Sequence, residues 1–362
     1  MNQGVRPVAS ELLNISVLDD LADLVRIASF QKEIIYVNPA YSRFVAEHPE
    51  TIAPAGGLRD FRILERTLHT GEIIQREEAL EGQYFSVKTS PLKRGGRIYG
   101  AVEVFRNTTV EKRLQMDMVQ KNEQHWTEMI AASRMQRALL PEKGYREGFT
   151  FDYFYRPAEV LSGDIFDVIE INDKYTAVYV ADSVGHGFAS SMTTVFISQT
   201  LRNIPKAILI SPAHTLMEVS RRFAKLNLPM DIYFTCFYGV YHRPSGKFYY
   251  TNAGHNCPPL VKRDTDICAL ESKGMPISRI LAPFSYENHQ VKLVAGDELL
   301  LYTDGIIECR NEENEQFSVE GLTELFREAD EDVLNVLHET LTRFVHREVL
   351  DDMTALWLKV EE

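Results

Sequence analysis

Four aspartates, Asp164, Asp182, Asp304 and Asp351, each stand in a short Gly- or Asp-flanked stretch beside an apolar run, although they are scattered over half the chain. Hard divalent cations such as Mg²⁺ and Mn²⁺ prefer carboxylate and water oxygens, and a pair of them needs several carboxylates converging from different elements. A fold that uses this pattern must therefore gather distant turns at one place, and phosphoester hydrolysis is the first chemistry it suggests. Each residue alone has a plainer reading. Asp164 and Asp304 suit turns, and Asp351 suits a strand entry.

The chain has 362 residues, which is long for one hydrophobic core and suits two domains. No run approaches the roughly 18 apolar residues that cross a bilayer, and the start Met1-Asn2-Gln3-Gly4-Val5-Arg6-Pro7 lacks the apolar stretch of a secretory signal. A soluble, cytoplasmic protein without membrane attachment is expected. The formal net charge of −13 disfavours nucleic-acid binding, which relies on Lys and Arg to neutralise phosphates. Cys236, Cys257, Cys268 and Cys309 show neither close pairing nor metal-type spacing, so reduced, mostly buried thiols are expected and no zinc site.

The acidic stretches read Ser162-Gly163-Asp164-Ile165-Phe166-Asp167, Val180-Ala181-Asp182-Ser183-Val184-Gly185-His186-Gly187, Leu301-Tyr302-Thr303-Asp304-Gly305 and Asp351-Asp352-Met353-Thr354. In this order they resemble the RsbU/SpoIIE branch of the PPM-type, metal-dependent serine/threonine protein phosphatases. The resemblance extends to Gln136-Arg137-Ala138-Leu139-Leu140-Pro141, Asn252-Ala253-Gly254-His255-Asn256 and Gly296-Asp297, and covers roughly residues 130–360. A single Asp-Gly pair is only a turn signal, whereas several motifs in order are specific.

The first segment, residues 14–108, alternates strand-like runs with turns. Residues 24–30 and 33–38 flank Gln31-Lys32 as a hairpin, a helix opens at Pro39 with Tyr41, Phe44 and Val45 facing inward, and two further strands cover 84–90 and 100–106. Hairpin, helix, hairpin, hinged at Val37-Asn38-Pro39-Ala40, resembles a PAS domain. Such domains bind a ligand or dimerise, and no residue here names the ligand. No cysteine precedes residue 236, which excludes a cysteinyl flavin adduct, and His48 and His69 read as surface histidines rather than haem ligands.

Residues 109–141 form a linker free of Gly and Pro up to Pro141, which predicts one long helix. Val110, Leu114 and Met118, then Trp126, Met129, Ser133, Gln136 and Leu140, make a stripe with a polar centre at Asn122. This suits a weak coiled coil in a homodimer built through the PAS domain and the linker, or a stripe packed on the catalytic core.

For residues 148–362 the pattern predicts strands at 149–156, 165–171, 175–181, 234–242, 247–252, 290–294, 298–302 and 354–360. Helices are predicted at 187–203, 212–226, 319–329 and 332–347. The resemblance implies an α+β fold with two antiparallel sheets face to face and helices on both outer sides. Periodicity alone leaves other α+β layer folds open.

The resemblance also implies the site. Asp164 and Asp182 act through metal-bound water; Asp164, Asp182, the Ser183 carbonyl, Asp304 and Asp351 hold two Mn²⁺ or Mg²⁺ ions that activate a water against phosphorus. Asp352 is the register rival of Asp351, Asp167 is a candidate for orienting metal waters, and His186 and His255 are expected to shape turns rather than bind metal. No protein nucleophile is needed, and Cys257, which alone matches a Cys-x₅-Arg spacing with Arg263, is followed by Pro258-Pro259, which cannot donate backbone N–H groups to phosphate. Departures from the family pattern are Ser162, Ser183 and Ser278, none of which removes a ligand. The resemblance further implies that residues 187–200 would correspond to the helical switch that, in this branch, couples regulation to metal binding.

The function implied is a PAS-regulated protein phosphatase acting on a phosphorylated STAS-type anti-anti-sigma factor in bacterial partner switching. A non-catalytic phosphoprotein-binding scaffold and a phosphatase of a small phosphorylated metabolite are the alternatives.

Overall fold

The computed structural model describes residues 17–49, 61–185, 187–282, 284–329, 332–345 and 349–362, so His186 and its turn-shaping role lie outside the described residues. The chain forms two compact units, Met1–Gln124 and His125–Glu362.

In the first unit, β1 (Leu24–Ser29), β2 (Ile34–Val37), α1 (Pro39–Glu47), α2 (Arg62–Thr70), β3 (Ile74–Leu80), β4 (Gln83–Arg94) and β5 (Arg97–Asn107) follow one another. They build one antiparallel sheet in the order β2-β1-β5-β4-β3. Asn38 organises the entry to α1: its side chain accepts from the Tyr41 and Val25 N–H groups and donates to the carbonyls of Leu18, Leu21 and Asp23. This cap satisfies donors that a helix start otherwise leaves unpaired. Tyr41 and Phe44 are buried as expected, against Phe85, Val87 and Phe105.

A charged layer lies within this core. The buried Arg26 donates to Glu103 at 2.6 Å, directly opposite it on β5, while its guanidinium lies 4.9 Å from the Phe61 ring centroid and 5.3 Å from that of Phe105. The other Glu103 oxygen accepts from Thr89 at 3.0 Å and from Arg76 at 3.3 Å. Such a group is tolerated because every charge in it is paired. His69 is exposed, and His48 is half-buried with its Nδ1 against the Phe44 carbonyl of its own helix.

The long helix α3 (Thr109–Arg137) crosses the division between the units, ending four residues before Pro141. Val110, Leu114, Met118 and Trp126 are exposed, Met129 and Ser133 are half-buried and Gln136 is buried. The stripe thus splits into an open segment and a packed end.

The second unit begins with β6 (Gly144–Arg146), β7 (Phe149–Arg156), β8 (Asp164–Asn172) and β9 (Tyr175–Ser183). After these come α4 (Phe188–Arg202), α5 (Lys206–Leu209), α6 (Pro212–Ala224), β10 (Tyr233–His242), β11 (Lys247–Ala253), β12 (Leu260–Arg263), β13 (Asp266–Ala269) and β14 (Ile277–Ser278). It closes with β15 (His289–Lys292), β16 (Glu298–Tyr302), α7 (Asp304–Glu308), α8 (Ser318–Glu328), α9 (Val333–Phe344) and β17 (Met353–Val360). One sheet runs β15-β11-β10-β9-β8 with β14 on β10, the other β13-β12-β16-β17-β7-β6.

Period-2 alternation divides the side chains into layers. Phe166, Val178, Val180 and Phe237 of the first sheet meet Phe151, Leu299, Leu301, Leu356 and Leu358 of the second in a shared core. The opposite faces are covered by helices: Ile165, Tyr179 and Tyr238 pack with Ile197, Leu216 and Phe223, and Leu300, Tyr302 and Ala355 with Leu322, Phe326 and Leu337. This is the expected α-β-β-α sandwich of antiparallel sheets. Two of the four thiols, Cys236 and Cys257, are buried; Cys268 is exposed because it faces out from the edge strand β13, so the expectation of mostly buried thiols holds for only half of them. Among the described residues no helix is long and apolar enough to cross a membrane.

Candidate metal centre

The two sheets bring their acidic strand ends to the same side. Asp182 is the penultimate residue of β9, Asp304 follows β16 by two residues, and Asp351 precedes β17, the antiparallel neighbour of β16. Asp182, Ser183, Asp304 and Asp351 line one cleft of about 410 Å³ together with Val184, Gly185, Tyr233, Thr235, Gly254, Asn256, Pro276 and Leu350. None of these lining residues is a Lys, Arg or His.

Asp164 lies beneath, 1% exposed, opposite Asp182 in the strand register. Its Oδ2 accepts from the hydroxyls of Thr303 at 2.8 Å and Thr354 at 2.6 Å, which come from the other sheet. The carboxylate therefore ties the two sheets together under the cleft floor.

Asp352 and Asp351, between which the sequence leaves the ligand open, differ in what they touch. The two Asp352 oxygens accept from the backbone N–H groups of Ala158, at 2.7 Å, and Gly163, at 2.6 Å. Asp351, one residue earlier, is exposed to the cleft, with Oδ1 accepting from the Asp352 N–H. The loop that Asp352 grips is also held by Gln136, whose amide donates to the Ser162 carbonyl and to the Thr194 hydroxyl on α4 and accepts from the Ser162 N–H. Gly163 leaves little room there: a Cβ would stand 3.0 Å from the Ser183 carbonyl oxygen, so a larger residue would press on that backbone.

His255 is a structural group, as expected. Its Nε2 faces the Tyr302 carbonyl at 2.9 Å, and a carbonyl can only accept, so Nε2 carries the proton and Nδ1 accepts from Thr235, the β10 residue opposite Asp182. Burial holds its pKa below the usual histidine value, which keeps the ring neutral. Its backbone is clamped by Asn252, and this turn presents Asn256, which donates to Asp304 Oδ2 at 3.0 Å.

Asp167 does not serve the cleft. Three residues from Asp164 on the same strand, it faces the helical layer, where Arg202 donates to its Oδ2 at 2.9 Å and 3.1 Å. The expectation that it orients metal waters is corrected by the period-2 alternation of β8.

Electrostatics at the cleft run against ionisation. Burial, then the charges of Asp304, Asp351 and Asp352, push Asp182 up to about 8. Burial, then Asp182 and Asp352, raise Asp164 well above the carboxylate range. Asp351 is raised by partial desolvation and by Asp304, against the lowering hydrogen bond from the Asp352 N–H. Among the described residues no three His, Cys, Asp or Glu side chains converge closely enough to hold an ion as they stand. The donor set nevertheless fits hard divalent cations: carboxylates crowded in one cleft whose lining, among the described residues, has no cationic side chain, at a repulsion that bound cations would relieve. Strongly perturbed carboxylates in a cleft are also the usual mark of a functional site.

The α-β-β-α sandwich and this acidic cleft define the class: the PPM-type, or PP2C, protein phosphatases. Residues 172–361 match the family described as Stage II sporulation protein E (SpoIIE), and the chain belongs to that family. It is 26% identical over 240 residues to the phosphoserine phosphatase RsbU of Bacillus subtilis, covering 64% of this chain and 70% of that protein. It is 24% identical over 185 residues to the phosphoserine phosphatase RsbP of the same organism, covering 50% of this chain but only 45% of RsbP. The SiaA-PP2C domain of Pseudomonas aeruginosa shares the fold, with a TM-score of 0.59 at 18% identity over 67% of this chain and 99% of that one.

Proposed function

We propose that the protein is a PAS-regulated phosphoserine/phosphothreonine protein phosphatase, dependent on Mn²⁺ or Mg²⁺, that dephosphorylates a STAS-type anti-anti-sigma protein in bacterial partner switching. The observation that carries the reading is the joint presence of Asp182, Asp304 and Asp351 in one cleft that, among the described residues, is lined by no cationic side chain, with Asp182 pushed up to about 8. Similarity to RsbU and RsbP, both named phosphoserine phosphatases, supports the choice of substrate class.

Asp164, Asp182, the Ser183 carbonyl, Asp304 and Asp351 would hold two cations, which when bound supply an activated water and neutralise charge on the phosphoryl oxygens. The chain's own contribution is placement. Asn256 occupies Asp304 Oδ2, the Asp352 N–H occupies Asp351 Oδ1, and Thr303 and Thr354 hold Asp164 Oδ2, so these three carboxylates are each turned by a fixed donor. No protein nucleophile is called upon; the Cys257 thiol is buried and raised by that burial.

In this reading residues 14–108 are the PAS sensor, 109–141 the linker and 148–362 the phosphatase. The strand order β2-β1-β5-β4-β3, with both helices between β2 and β3, supports the PAS reading. Exposed Val110, Leu114, Met118 and Trp126 on α3 support a homodimer through the linker. Gln136 reaches both the loop before Asp164 and the switch helix α4, so a movement of α3 would be felt on both. A cytoplasmic location accords with these partners.

The test is dephosphorylation of a serine-phosphorylated STAS protein by the intact chain, in Mn²⁺ or in EDTA, beside free nucleotides as competing substrates. Metal-dependent turnover of the phosphoprotein far above that of nucleotides supports the proposal. Binding without turnover would support a scaffold, and preference for nucleotides a small-molecule phosphatase.

A further inference from the structure

The acidic cleft has an apolar mouth. Val184, Tyr233 and Leu350 line it and are 40%, 37% and 85% exposed. Three adjacent backbone segments deliver the first side of this mouth. The Val184 N–H donates to the Tyr233 carbonyl at 3.1 Å, and Tyr233 pairs with Ser278 of β14. Met275 and Ile280 flank β14 and Met230 stands three residues before Tyr233; all three are exposed. Leu350, immediately before Asp351, stands among the lining residues as well.

Single exposed apolar residues are ordinary, but a cluster around one polar cleft marks a contact surface. Methionines suit such a surface because they adapt to a partner's shape. Among the described residues, the lining contains no Lys or Arg that could read an acidic peptide or grip a phosphate directly.

We propose that this mouth is a docking rim that selects a folded protein whose phosphoserine or phosphothreonine is surrounded by apolar side chains. The inference rests on the phosphatase reading of the cleft. Affinity comes from apolar contact with Val184, Tyr233, Met275 and Leu350, while the phosphoryl group is left to the cations held by the floor.

The experiment compares the full-length protein with Leu350→Asp and Met275→Ser variants, both exposed positions, and a Tyr233→Ser variant checked for folding by circular dichroism. Binding of a serine-phosphorylated STAS domain and of a short acidic phosphoserine peptide is measured by calorimetry with Mn²⁺, and kcat/KM is measured on the STAS domain and on p-nitrophenyl phosphate. The expected result is that the variants weaken phosphoprotein binding at least tenfold and lower the phosphoprotein-to-nitrophenyl ratio of kcat/KM by a similar factor through KM. The inference is overturned if binding and ratio stay within twofold, or if the unaltered chain binds the acidic peptide as tightly as the folded protein. Should the chain hydrolyse neither substrate, the phosphatase reading fails, and the calorimetric comparison still decides whether the rim binds phosphoprotein.

Discussion

Asp164 and Asp182 stand directly opposite each other on neighbouring antiparallel strands, yet only Asp182 lines the cleft; Asp164 is sealed below it by the Thr303 and Thr354 hydroxyls. Thr354→Val should strip one of these donors and leave a buried carboxylate short of a partner, at a loss of about 1–3 kcal/mol. Urea unfolding of the two proteins in EDTA and in Mn²⁺ measures this, and an unchanged midpoint would contradict the bridging role.

The raised Asp182 makes stability depend on pH. A carboxyl whose folded value, about 8, exceeds its unfolded value of 3.8 binds protons more tightly when folded. Its contribution is full below pH 4 and is lost as pH rises towards 8. In EDTA the Asp182→Asn variant, which cannot ionise there, should become progressively more stable than the unaltered protein across this window, by a few kcal/mol at pH 8 since each pKa unit is worth about 1.4 kcal/mol. Added Mn²⁺ should reverse the order. Thermal melts at a series of pH values give the answer, and parallel curves in EDTA would sink the account of the cleft's charge.

Neighbouring aspartates should behave differently. Asp352→Ala removes the acceptor of two backbone N–H groups and should destabilise the second unit by roughly 2–4 kcal/mol. Asp351→Ala should not lower the melting temperature in EDTA, since it removes one of the charges crowding Asp182, and should abolish stabilisation by Mn²⁺. Equal behaviour of the two variants would return the ligand to an open choice.

In the first unit, Glu103→Ala leaves the buried Arg26 without its main partner, which should cost about 3–5 kcal/mol. Replacing Arg26 and Glu103 together with Met and Leu should recover most of the loss, because the apolar pair fills the same space without buried charge. Failure of the double variant to recover would show that the charged layer does more than fill the core.

What the sequence revealed was local. The strands at residues 149–156 and 298–302 and the turns bearing Asp182, Asp304 and Asp351 were legible because apolar runs ending in Asp or Gly carry their own signal. β3 was not, since Gln75-Arg76-Glu77-Glu78-Ala79 has the composition of a helix, and only pairing with β4 makes it an edge strand. Nor were the four-residue strands β12 and β13, too short for a period to show. The roles of Gln136, Thr354 and Asp352 depend on partners 26 to 194 residues away, which no window of sequence contains. Asp167 is the instructive miss: three residues after Asp164 on a strand means the opposite face, a deduction the sequence already allowed.

The most direct measurement is Mn²⁺ binding to the intact protein and to Asp182→Asn, by calorimetry, with hydrolysis of the phosphorylated STAS protein followed on the same samples. The account predicts two ions per chain and metal-dependent turnover in the unaltered protein, with binding weakened and turnover reduced about 100-fold or more in the variant, at or beyond the upper end of what loss of a supporting residue costs a metal site. Equal Mn²⁺ binding and equal turnover in the two proteins would contradict it.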